Sequence, residues 1–466
     1  MENYTLQGLK ACLDKTFDGC EDFVTRPMDG EGFTGACFFI KNICDRAYLG
    51  ERVIAPILKQ GNKDFRGEFS SLLQCAAFNV PDTVDAAAAA LLAGNVLVAV
   101  ETDRLYTAVV AADHFNHRGV DEPDSDVTVK GPKAGFTENG EGNLAAIRRI
   151  IRSNDLKTES LLIGELTKTR LFLVYYKGRA DMQALADIRR RLKKARPECV
   201  VDSGNIEQLL CPKGSFFPSL GSSEKVDKVA SKILAGRIAV ICDGSPFVLT
   251  APYVFAECIQ SAEDYIKPAW YSTFMRFLRF FALLAALLMP AIFTAAVYHD
   301  RFLVPSPLME AIDEMRKDIK LPFIGEMLLM LTAFEIVREV GVRMPRTVGD
   351  AVGIVASLLV GDATVEAGLA GTSVLLIVAF SETAGFIVPS LSSALVVMRY
   401  LYLFAAYTAG LYGILFALGL TVIGLLRKKS FGASYMSPLV PFSTKGMQDF
   451  LLALPKKTLG RREKLK

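Results

Sequence analysis

Residues 321–389 read LPFIGEMLLMLTAFEIVREVGVRMPRTVGDAVGIVASLLVGDATVEAGLAGTSVLLIVAFSETAGFIVP. The stretch is mostly apolar and rich in glycine, and it is longer than the core of a soluble domain requires. A simple membrane anchor would not carry the charges that interrupt it, which are Glu326, Glu335, Arg338, Glu339, Asp362, Glu366 and Glu382. Ionisable groups at membrane depth are costly and usually face a protein interior or a water path. The stretch therefore predicts a membrane domain with a functional site. A second interpretation stays open for Glu326, Asp362 and Glu366, which would lie in interfacial loops that only bracket the spans.

The composition indicates two halves of different character. The chain has 466 residues, which suffices for two or three domains, and 51% of them are hydrophobic while 22% are charged. The mean hydropathy is +0.30, above the range of ordinary soluble domains. Both values fit if residues 1–270 form a soluble half and residues 277–426 a membrane half. A net charge of +3 is too small to indicate a nucleic-acid partner.

The soluble half is expected to lie in the cytoplasm. Its start lacks the apolar core of a signal peptide. All nine cysteines precede the first apolar span, and their odd number and lack of a C-x-x-C pair suit reduced thiols. Only three histidines occur, none with a cysteine at zinc-ligand spacing, so we predict no metal and no cofactor. No acid–base or nucleophile constellation is present in the soluble half, and we do not expect an enzyme.

The predicted fold class is an α/β cytoplasmic N-terminal region of two lobes followed by an α-helical polytopic membrane domain. Short apolar runs predict strands in both lobes, among them residues 36–44, 95–101 and 104–111, and apolar residues on one helical face predict helices. Asn143 is the expected N-cap of the helix that precedes the second lobe. The predicted organisation is a weakly patterned, partly mobile N-terminal segment 1–30, lobe 1 at 31–116, a linker and helix at 117–153, lobe 2 at 154–260, the membrane domain at 261–430 and a cytoplasmic C-terminal tail at 431–466.

Five apolar segments are predicted in the membrane half, at residues 277–298, 321–340, 350–361, 367–389 and 400–426. Arg276 and Arg279 before the first segment and Arg427 after the last place both ends on the cytoplasmic side. An odd number of crossings contradicts this, so one segment, 321–340 or 350–361, is expected to be interfacial or re-entrant.

A set of charged and polar residues lies within the second apolar segment. On a helix Thr332, Glu335, Arg338 and Glu339 share a face, because residues three and four apart are neighbours. Arg338 can therefore form an ion pair with either glutamate, which lowers the cost of placing these charges among apolar helices.

Several long motifs carry a family resemblance. They are PFIGEMLLMLTAFEIVREVGVRMPRTVGDAVGIVASLLVGDATVEAG, ILAGRIAVICDGSPFVLTAP, EDYIKPAWYSTFMRFLRFF and SFGASYMSPLVPF. Together, in order from about residue 36 to 445, they resemble the GerA-type spore germination receptor A-subunit family. These motifs do not distinguish a nutrient-receptor A subunit from a member of the related SpoVAF branch.

The resemblance implies a multi-pass protein of the spore inner membrane with both termini on the cytoplasmic side. It also implies partners: a transporter-like B subunit that binds the nutrient, a lipoprotein C subunit, membrane lipid, and further A copies in a ring, proposed to be a pentamer with an ion-conducting centre. Carboxylates repeated around such a ring favour cations. The best ring candidates are Asp362 and Glu366, one helical turn apart, with Ser373 two turns beyond on much the same face.

Two other functions remain open. In one the chain is a non-conducting scaffold or signal relay, and the charges of Glu335, Arg338 and Glu339 pair between helices. In the other it is an accessory channel of the SpoVAF type.

Overall fold

The computed structural model describes residues 4–30, 32–59, 78–112, 132–212, 214–317, 319–343 and 361–442, together with residues 447, 449, 450 and 452. The predicted apolar segment 350–361 lies outside the described residues except for its last residue.

The first sheet has five antiparallel strands in the order β1-β2-β4-β5-β3. The strands are β1 (Phe23–Gly30), β2 (Phe33–Ile40), β3 (Phe78–Asn79), β4 (Val96–Glu101) and β5 (Leu105–Val110). Helices α1 (Leu6–Thr16) and α3 (Val84–Leu92) cover one face. The other face is covered by α2, which consists of Arg46–Tyr48, a π-helical Leu49–Ile54 and Ala55–Lys59. Each central strand thus buries both of its faces, which explains its nearly continuous apolar sequence.

Residues 1–30 are more regular than expected. They were predicted to be partly mobile, but they contain α1 and β1. The helix buries only Leu9 and Leu13, and β1 is a half-exposed edge strand that contains Pro27. Both patterns are faint because each element contributes little to the core.

The second sheet has the order β6-β7-β9-β10-β8 and is also antiparallel. Its strands are β6 (Leu156–Ile163), β7 (Thr169–Tyr176), β8 (Gly221–Ser223), β9 (Ile238–Cys242) and β10 (Val248–Ala251). One face carries α5 (Met182–Ala195) and α6 (Ser203–Leu210), and the other carries α4 (Gly140–Ile150) and α7 (Val226–Leu234). A short helix, α8 (Phe255–Ile259), follows the sheet. The mixed α/β class predicted for the N-terminal region is confirmed, and the exact domain boundaries stay predictions.

The expected N-cap of α4 is wrong by one turn. Asn139 caps the helix, since its side chain accepts from the Gly142 amide at 3.1 Å. Asn143 is buried inside the first turn, where its side chain accepts from the Thr137 amide at 2.8 Å. Asn143 therefore closes the loop that precedes the helix.

Residues 19–22 join the two sheets. The Glu21 amide donates to the Thr158 carbonyl at 3.2 Å, so this segment extends the edge of β6. Beside it, Asp22 accepts two bonds of 2.8 Å from the guanidinium of Arg148 and one of 2.8 Å from the Thr158 hydroxyl. Asp22 and Arg148 are both almost fully buried. The segment between α1 and β1 is thus anchored to α4 and β6 by a satisfied internal ion pair.

The C-terminal half is a bundle of apolar helices. Its long helices are α9 (Ala269–Tyr298), α11 (Phe323–Arg343), α12 (Thr372–Phe386) and α13 (Ser392–Arg427), and a shorter α10 (Ser306–Met315) lies between α9 and α11. Two stretches, Ala269–Tyr298 and Pro389–Arg427, are long and apolar enough to cross a membrane by length and composition. Helix α9 lies at the centre and packs against both α12 and α13.

Helix α13 is a hairpin of two arms, residues 392–409 and 411–427. The Tyr402 hydroxyl donates to the Thr421 hydroxyl at 3.0 Å, whereas 19 residues of straight helix would separate them by about 28 Å. Leu395 and Leu425 likewise share one apolar cluster. The chain reverses at Gly410, whose φ of 59° and ψ of −139° are outside the helical range. The first residue of the second arm is capped by Asp300, whose carboxylate accepts from the Leu411 amide at 2.7 Å.

The hairpin corrects the predicted segment 400–426, which was counted as one crossing. Both arms pass along α9, so Ala269 and Arg427 lie at the same end of the bundle. We call this the proximal end, and the end with Gly410 and Asp300 the distal end. The odd count that required a re-entrant segment therefore loses its basis. Glycine is required at the turn, because a Cβ on Gly410 would collide with Asp300 and one on Gly413 with the Ala405 carbonyl.

We predict that Arg148→Ala lowers the free energy of unfolding by about 3–5 kcal/mol, because Asp22 would be left buried without its counter-charge. Chemical unfolding of the detergent-solubilised full chain, followed by circular dichroism, measures the loss. Arg190→Ala is the matched control, since Arg190 pairs with Asp187 on an exposed surface and such pairs contribute less than about 1 kcal/mol. Equal losses in the two variants would contradict the role of the Asp22–Arg148 pair.

Candidate functional site

A buried ion pair joins α12 and α13 inside the bundle. Arg399 donates through one terminal nitrogen to the Glu382 carboxylate, and both side chains are less than a tenth exposed. Burial of two charges is tolerated only when each is paired and further hydrogen-bonded. The pair therefore needs additional partners, and α9 provides one.

The partner on α9 is the carbonyl of Ala286. Pro290 stands four residues later, and because proline has no N–H, this carbonyl lacks its normal helical donor. Arg399 Nε donates to it at 2.9 Å, and the Ser381 hydroxyl donates to it at 2.9 Å. One carbonyl freed by a proline thus ties α9, α12 and α13 together.

Two further charges lie beside the pair. Arg338 donates to Glu335 along α11, and both side chains are about a quarter exposed. Glu335 and Arg338 are close enough to Glu382 and Arg399 to interact with them electrostatically. We call Glu335, Arg338, Glu382 and Arg399 the charge cluster. It extends from the surface of α11 to the centre of the bundle.

Glu339 does not join the cluster. Its carboxylate accepts from Arg343 at 2.7 Å, one turn further along α11, and both side chains are exposed. The sequence pattern allowed Arg338 to pair with either glutamate, and in the structure it pairs with Glu335. Thr332, on the same face, lies 3.3 Å from the Tyr400 hydroxyl of α13.

Sequence reasoning missed the central pair. Glu382 was noted as a charge in an apolar stretch, but Arg399 was not identified as its partner. The two residues lie 17 positions apart on different helices, so no helical spacing connects them. A usable signal was Pro290, which predicts an unpaired carbonyl at Ala286 that needs a donor from a neighbouring helix.

The three proposed pore residues do not share one face. Asp362 and Glu366 are exposed in the helical residues 361–366, but Ser373 is buried in the first turn of α12. The prediction assumed a continuous helix, whereas the chain turns at residues 367–371, with Gly368 at a φ of 62°. Ser373 therefore points into the bundle, and the two carboxylates remain the exposed pair.

Glu326 lies at the distal end and is fully buried. Its carboxylate accepts from Arg316 at 2.9 and 2.8 Å and from the Gly371 amide at 2.9 Å. Glu326 thus connects the start of α11 with the start of α12. Of the two interpretations for this residue, the structure favours a buried group over one in an exposed loop.

The arginines that precede the first apolar segment are paired within the protein. Arg276 is fully buried in α9 and donates to Asp264 at 3.1 Å and to the Asp449 carbonyl at 2.8 Å. Arg279 donates to the same Asp264 carboxylate at 2.7 Å. They were expected to mark the cytoplasmic end of the span, and that orientation stays a prediction. Their charges are neutralised by acidic residues that hold the start of α9 in place.

The chain after the last helix packs back onto the second sheet. Strands β11 (Lys429–Ser430) and β12 (Ala433–Ser434) form a small hairpin. Phe431 between them is buried in the core under α5, with the guanidinium of Arg191 4.7 Å from its ring centre. We call residues 428–435 the C-terminal clamp. Residues 431–466 were predicted to be a cytoplasmic C-terminal tail, and the structure shows that the first of them pack into the second sheet region as part of the clamp.

Lys428 closes the clamp. Its ammonium donates to the Ser215 hydroxyl at 2.6 Å and to the Phe217 carbonyl, and it lies 4.6 Å from the ring centre of Tyr435. Burial among these mostly neutral groups lowers the pKa of Lys428 to about 8. The end of the second arm is therefore tied directly to the loop between α6 and β8.

Both ends of the α13 hairpin meet the second sheet region through residues 253–258. The Tyr253 amide donates to the Ser430 hydroxyl at 3.0 Å, and the Phe255 amide donates to the Tyr435 carbonyl at 2.8 Å. Leu391 and Leu395, at the start of the first arm, lie in the same apolar cluster as Phe255 and Tyr435. A displacement of this region would be passed to both arms.

Within the part of the chain that the structure describes, no group of three or more histidine, cysteine, aspartate or glutamate side chains could hold a metal ion.

Comparison with known proteins places the chain among spore germination proteins. The family model described as Bacillus/Clostridium GerA spore germination protein matches residues 11–465. The chain is 33% identical over 427 residues to spore germination protein KA of Bacillus subtilis, covering 90% of this chain and 78% of that protein. It is 32% identical to the uncharacterized membrane protein YfkQ of the same organism, covering 96% and 88%. It is 31% identical to spore germination protein GerLA of Bacillus cereus, covering 82% and 77%.

One solved structure is also similar, the crystal structure of the N-terminal domain of the A subunit of the Bacillus megaterium spore germinant receptor GerK3. The sequence identity is 25%, the match covers 55% of this chain and 97% of that one, and the TM-score is 0.41.

We predict that Arg399→Leu and Glu382→Leu each lower the stability of the bundle by about 3–5 kcal/mol, because each leaves one charge buried without its partner. The double variant is expected to lose much less than the sum of the two single losses. Unfolding of the detergent-solubilised protein in increasing dodecyl sulfate measures the stability of each variant, and the four values form a double-mutant cycle. Arg343→Leu, which removes an exposed partner of Glu339 on α11, is the control and should change stability by less than about 1 kcal/mol. Additive losses from the two single variants would show that the pair is not coupled.

Proposed function

The chain belongs to the GerA family of spore germination proteins, and from this we propose that it is the A subunit of a germinant receptor in the spore inner membrane. It transduces the binding of a germinant into the release of cations, as an oligomeric ion channel. Its role is in signalling and transport rather than catalysis.

The membrane location is supported by the helix bundle. The exposed surfaces of α9, α12 and α13 carry large apolar side chains, including Phe281, Leu376, Phe404 and Phe416. Contiguous apolar surface of this kind is characteristic of contact with lipid or with another subunit. Because Ala269 and Arg427 lie at the same end of the bundle, the soluble half and the C-terminal clamp share the cytoplasmic side. The charge cluster then lies among the membrane helices, nearer to that side.

The observation that carries the channel proposal is the exposure of Asp362 and Glu366 next to the apolar helix α12. Both precede the turn at residues 367–371 at the distal end of the bundle, where a carboxylate in contact with lipid is still less favourable than one in contact with water. Neighbouring copies arranged in a ring would enclose these carboxylates around water and remove this cost. Repeated around the ring, the carboxylates would favour cations over anions.

The proposed partners are those that the family resemblance implies. Further A copies form the ring, for which five is the proposed number, and a transporter-like B subunit and a lipoprotein C subunit complete the receptor. The two lobes stay in the cytoplasm. A conformational change in the lobes would reach the membrane helices from that side. An accessory channel of the SpoVAF type is the alternative, and it predicts the same flux.

A non-conducting scaffold is the second candidate, and the C-terminal clamp is the observation that favours it. The clamp and Tyr253 link the second sheet region to both arms of α13, which suffices to relay a signal without a pore. In that case the charge cluster serves only to hold the helices together.

We predict that the purified chain, reconstituted in liposomes, releases entrapped potassium faster than empty liposomes, and that Asp362→Ala or Glu366→Ala changes the rate. Removal of one carboxylate per copy lowers the local cation concentration in a pore, so the potassium-to-chloride selectivity should fall several-fold. Glu314→Ala on α10, an exposed carboxylate outside the proposed pore, is the matched control. Unaltered flux and selectivity in both variants would reject these residues as pore lining, and absence of any leak would favour the scaffold.

A further inference from the structure

The chain between α9 and α11 makes an excursion that returns to its starting point. It leaves the bundle at Tyr298, and the Ile324 amide at the start of α11 donates to the Tyr298 hydroxyl at 3.2 Å. The pairing of Arg316 with Glu326 fixes the end of the excursion to the distal end of α11. Residues 299–317 and 319–322, including α10, therefore lie across the distal end of the bundle. We call them the distal cap.

Helix α10 in this cap has one broad apolar face, with a buried inner stripe and an exposed outer stripe. Met309 and Ile312 form the inner stripe, which is buried. Met309 packs against Ala296 and Val304. The outer stripe holds Leu308 and Met315, which are 48% and 53% exposed although the inner stripe already anchors the helix. Phe302, just before the helix, is 75% exposed. At 3.6 residues per turn, Leu308 and Met315 lie within about 60° of Ile312. The outer stripe is therefore the uncovered edge of one broad apolar face, and this edge requires a partner of its own.

Aromatic residues mark the level of the cap. Tyr298, Tyr407 and Tyr412 lie around the distal end and are each more than a third exposed. Trp270, 75% exposed, lies at the opposite end of α9. The 28 residues from Trp270 to Tyr298 span about 42 Å of helix, which matches a bilayer of about 40–45 Å with its headgroups. Tryptophan and tyrosine are enriched at both membrane–water interfaces. Tyr298 therefore lies at the distal headgroup level, and α10 begins only eight residues later.

The charges of α10 indicate which kind of surface it fits. The helix holds Glu310, Asp313 and Glu314 and no basic residue. Interfacial helices that bind anionic lipid are rich in lysine and arginine on their polar face. The acidic face of α10 instead suits the aqueous side of a zwitterionic surface, away from the cytoplasmic leaflet.

We propose that α10 is an interfacial helix, whose outer stripe of Phe302, Leu308 and Met315 is buried among the lipid headgroups of the leaflet opposite the soluble lobes. This rests on the proposed membrane location. The occupant is lipid because α10 lies across the same distal end as the exposed tyrosines, and the helices beneath it expose large apolar side chains. A rearrangement of the lipid around α10 would therefore displace the distal cap. The displacement would reach Arg316 and Glu326, and through them the starts of α11 and α12.

The single tryptophan of the chain makes the proposal testable. In a Trp270→Phe background, Phe302→Trp and Leu308→Trp each give one fluorophore on the outer stripe. Glu314→Trp gives a matched fluorophore on the polar face of the same helix. Phe404→Trp, in the exposed middle of the first arm, reports membrane insertion itself. Each full-length variant is reconstituted in phosphatidylcholine vesicles brominated either near the headgroup or near the acyl-chain end.

We expect bromine near the headgroup to quench the tryptophans at 302 and 308 at least twofold, and to leave the one at 314 nearly unchanged. Deep bromine should quench the tryptophan at 404 most. Addition of anionic phosphatidylglycerol should leave the quenching at 302 and 308 unaltered, since the helix holds no basic residue and the flanking Arg301 and Lys317 are paired with Asp313 and Glu314.

Two results would overturn the proposal and are distinguishable. Quenching at 404 without quenching at 302 and 308 would show that the bundle is in the membrane but that the outer stripe faces water or a protein partner. Absence of quenching at all four positions would reject the membrane location, and the interfacial helix with it. Equal quenching at 302 and 314 would also contradict the proposal, because it would show that α10 has no preferred face.

Discussion

The arrangement of the apolar helices depends on one carbonyl group, that of Ala286. Pro290 deprives it of its helical donor, and an unpaired buried carbonyl costs free energy comparable to a lost hydrogen bond. Arg399 and Ser381 provide the missing donors. Arg399 is tolerated at this depth because Glu382 supplies the opposite charge. A backbone defect in α9 thus becomes the position where α12 and α13 are fixed, and charges that would oppose membrane insertion hold the bundle together.

The same bundle is fixed to the soluble half at its proximal end. Both arms of α13 end in the region of Tyr253, Phe255 and Tyr435, and Phe431 from the C-terminal clamp enters the core under α5. A rotation of the second sheet would therefore act on the two ends of one hairpin, whose turn at Gly410 is held by Asp300. This provides a route by which a movement of the second sheet region reaches the charge cluster.

Features of the fold that depend on residues close together in the sequence could be predicted, and features that depend on distant residues could not. The central strands and their helices were predicted because burial on both faces, or on one stripe, leaves a local pattern. The edge strand β1 was missed because it buries little. The hairpin in α13 was missed because Gly410 lies in an apolar run that continues unbroken on both sides, and composition does not reveal a reversal. Likewise, helical spacing predicted that Asp362, Glu366 and Ser373 share a face, but the turn at Gly368 separates them. Pairs such as Glu382 with Arg399 depend on which helices become neighbours, and that information is not local.

The most direct test of the central claim is the free energy of unfolding of Pro290→Ala in the detergent-solubilised protein. Proline in a helix interior usually costs about 3 kcal/mol, so its removal would ordinarily stabilise the chain by a similar amount. Here the new amide at residue 290 would reclaim the Ala286 carbonyl and displace Arg399 and Ser381. The account predicts no gain or a net loss of stability, and a gain of about 3 kcal/mol would contradict it.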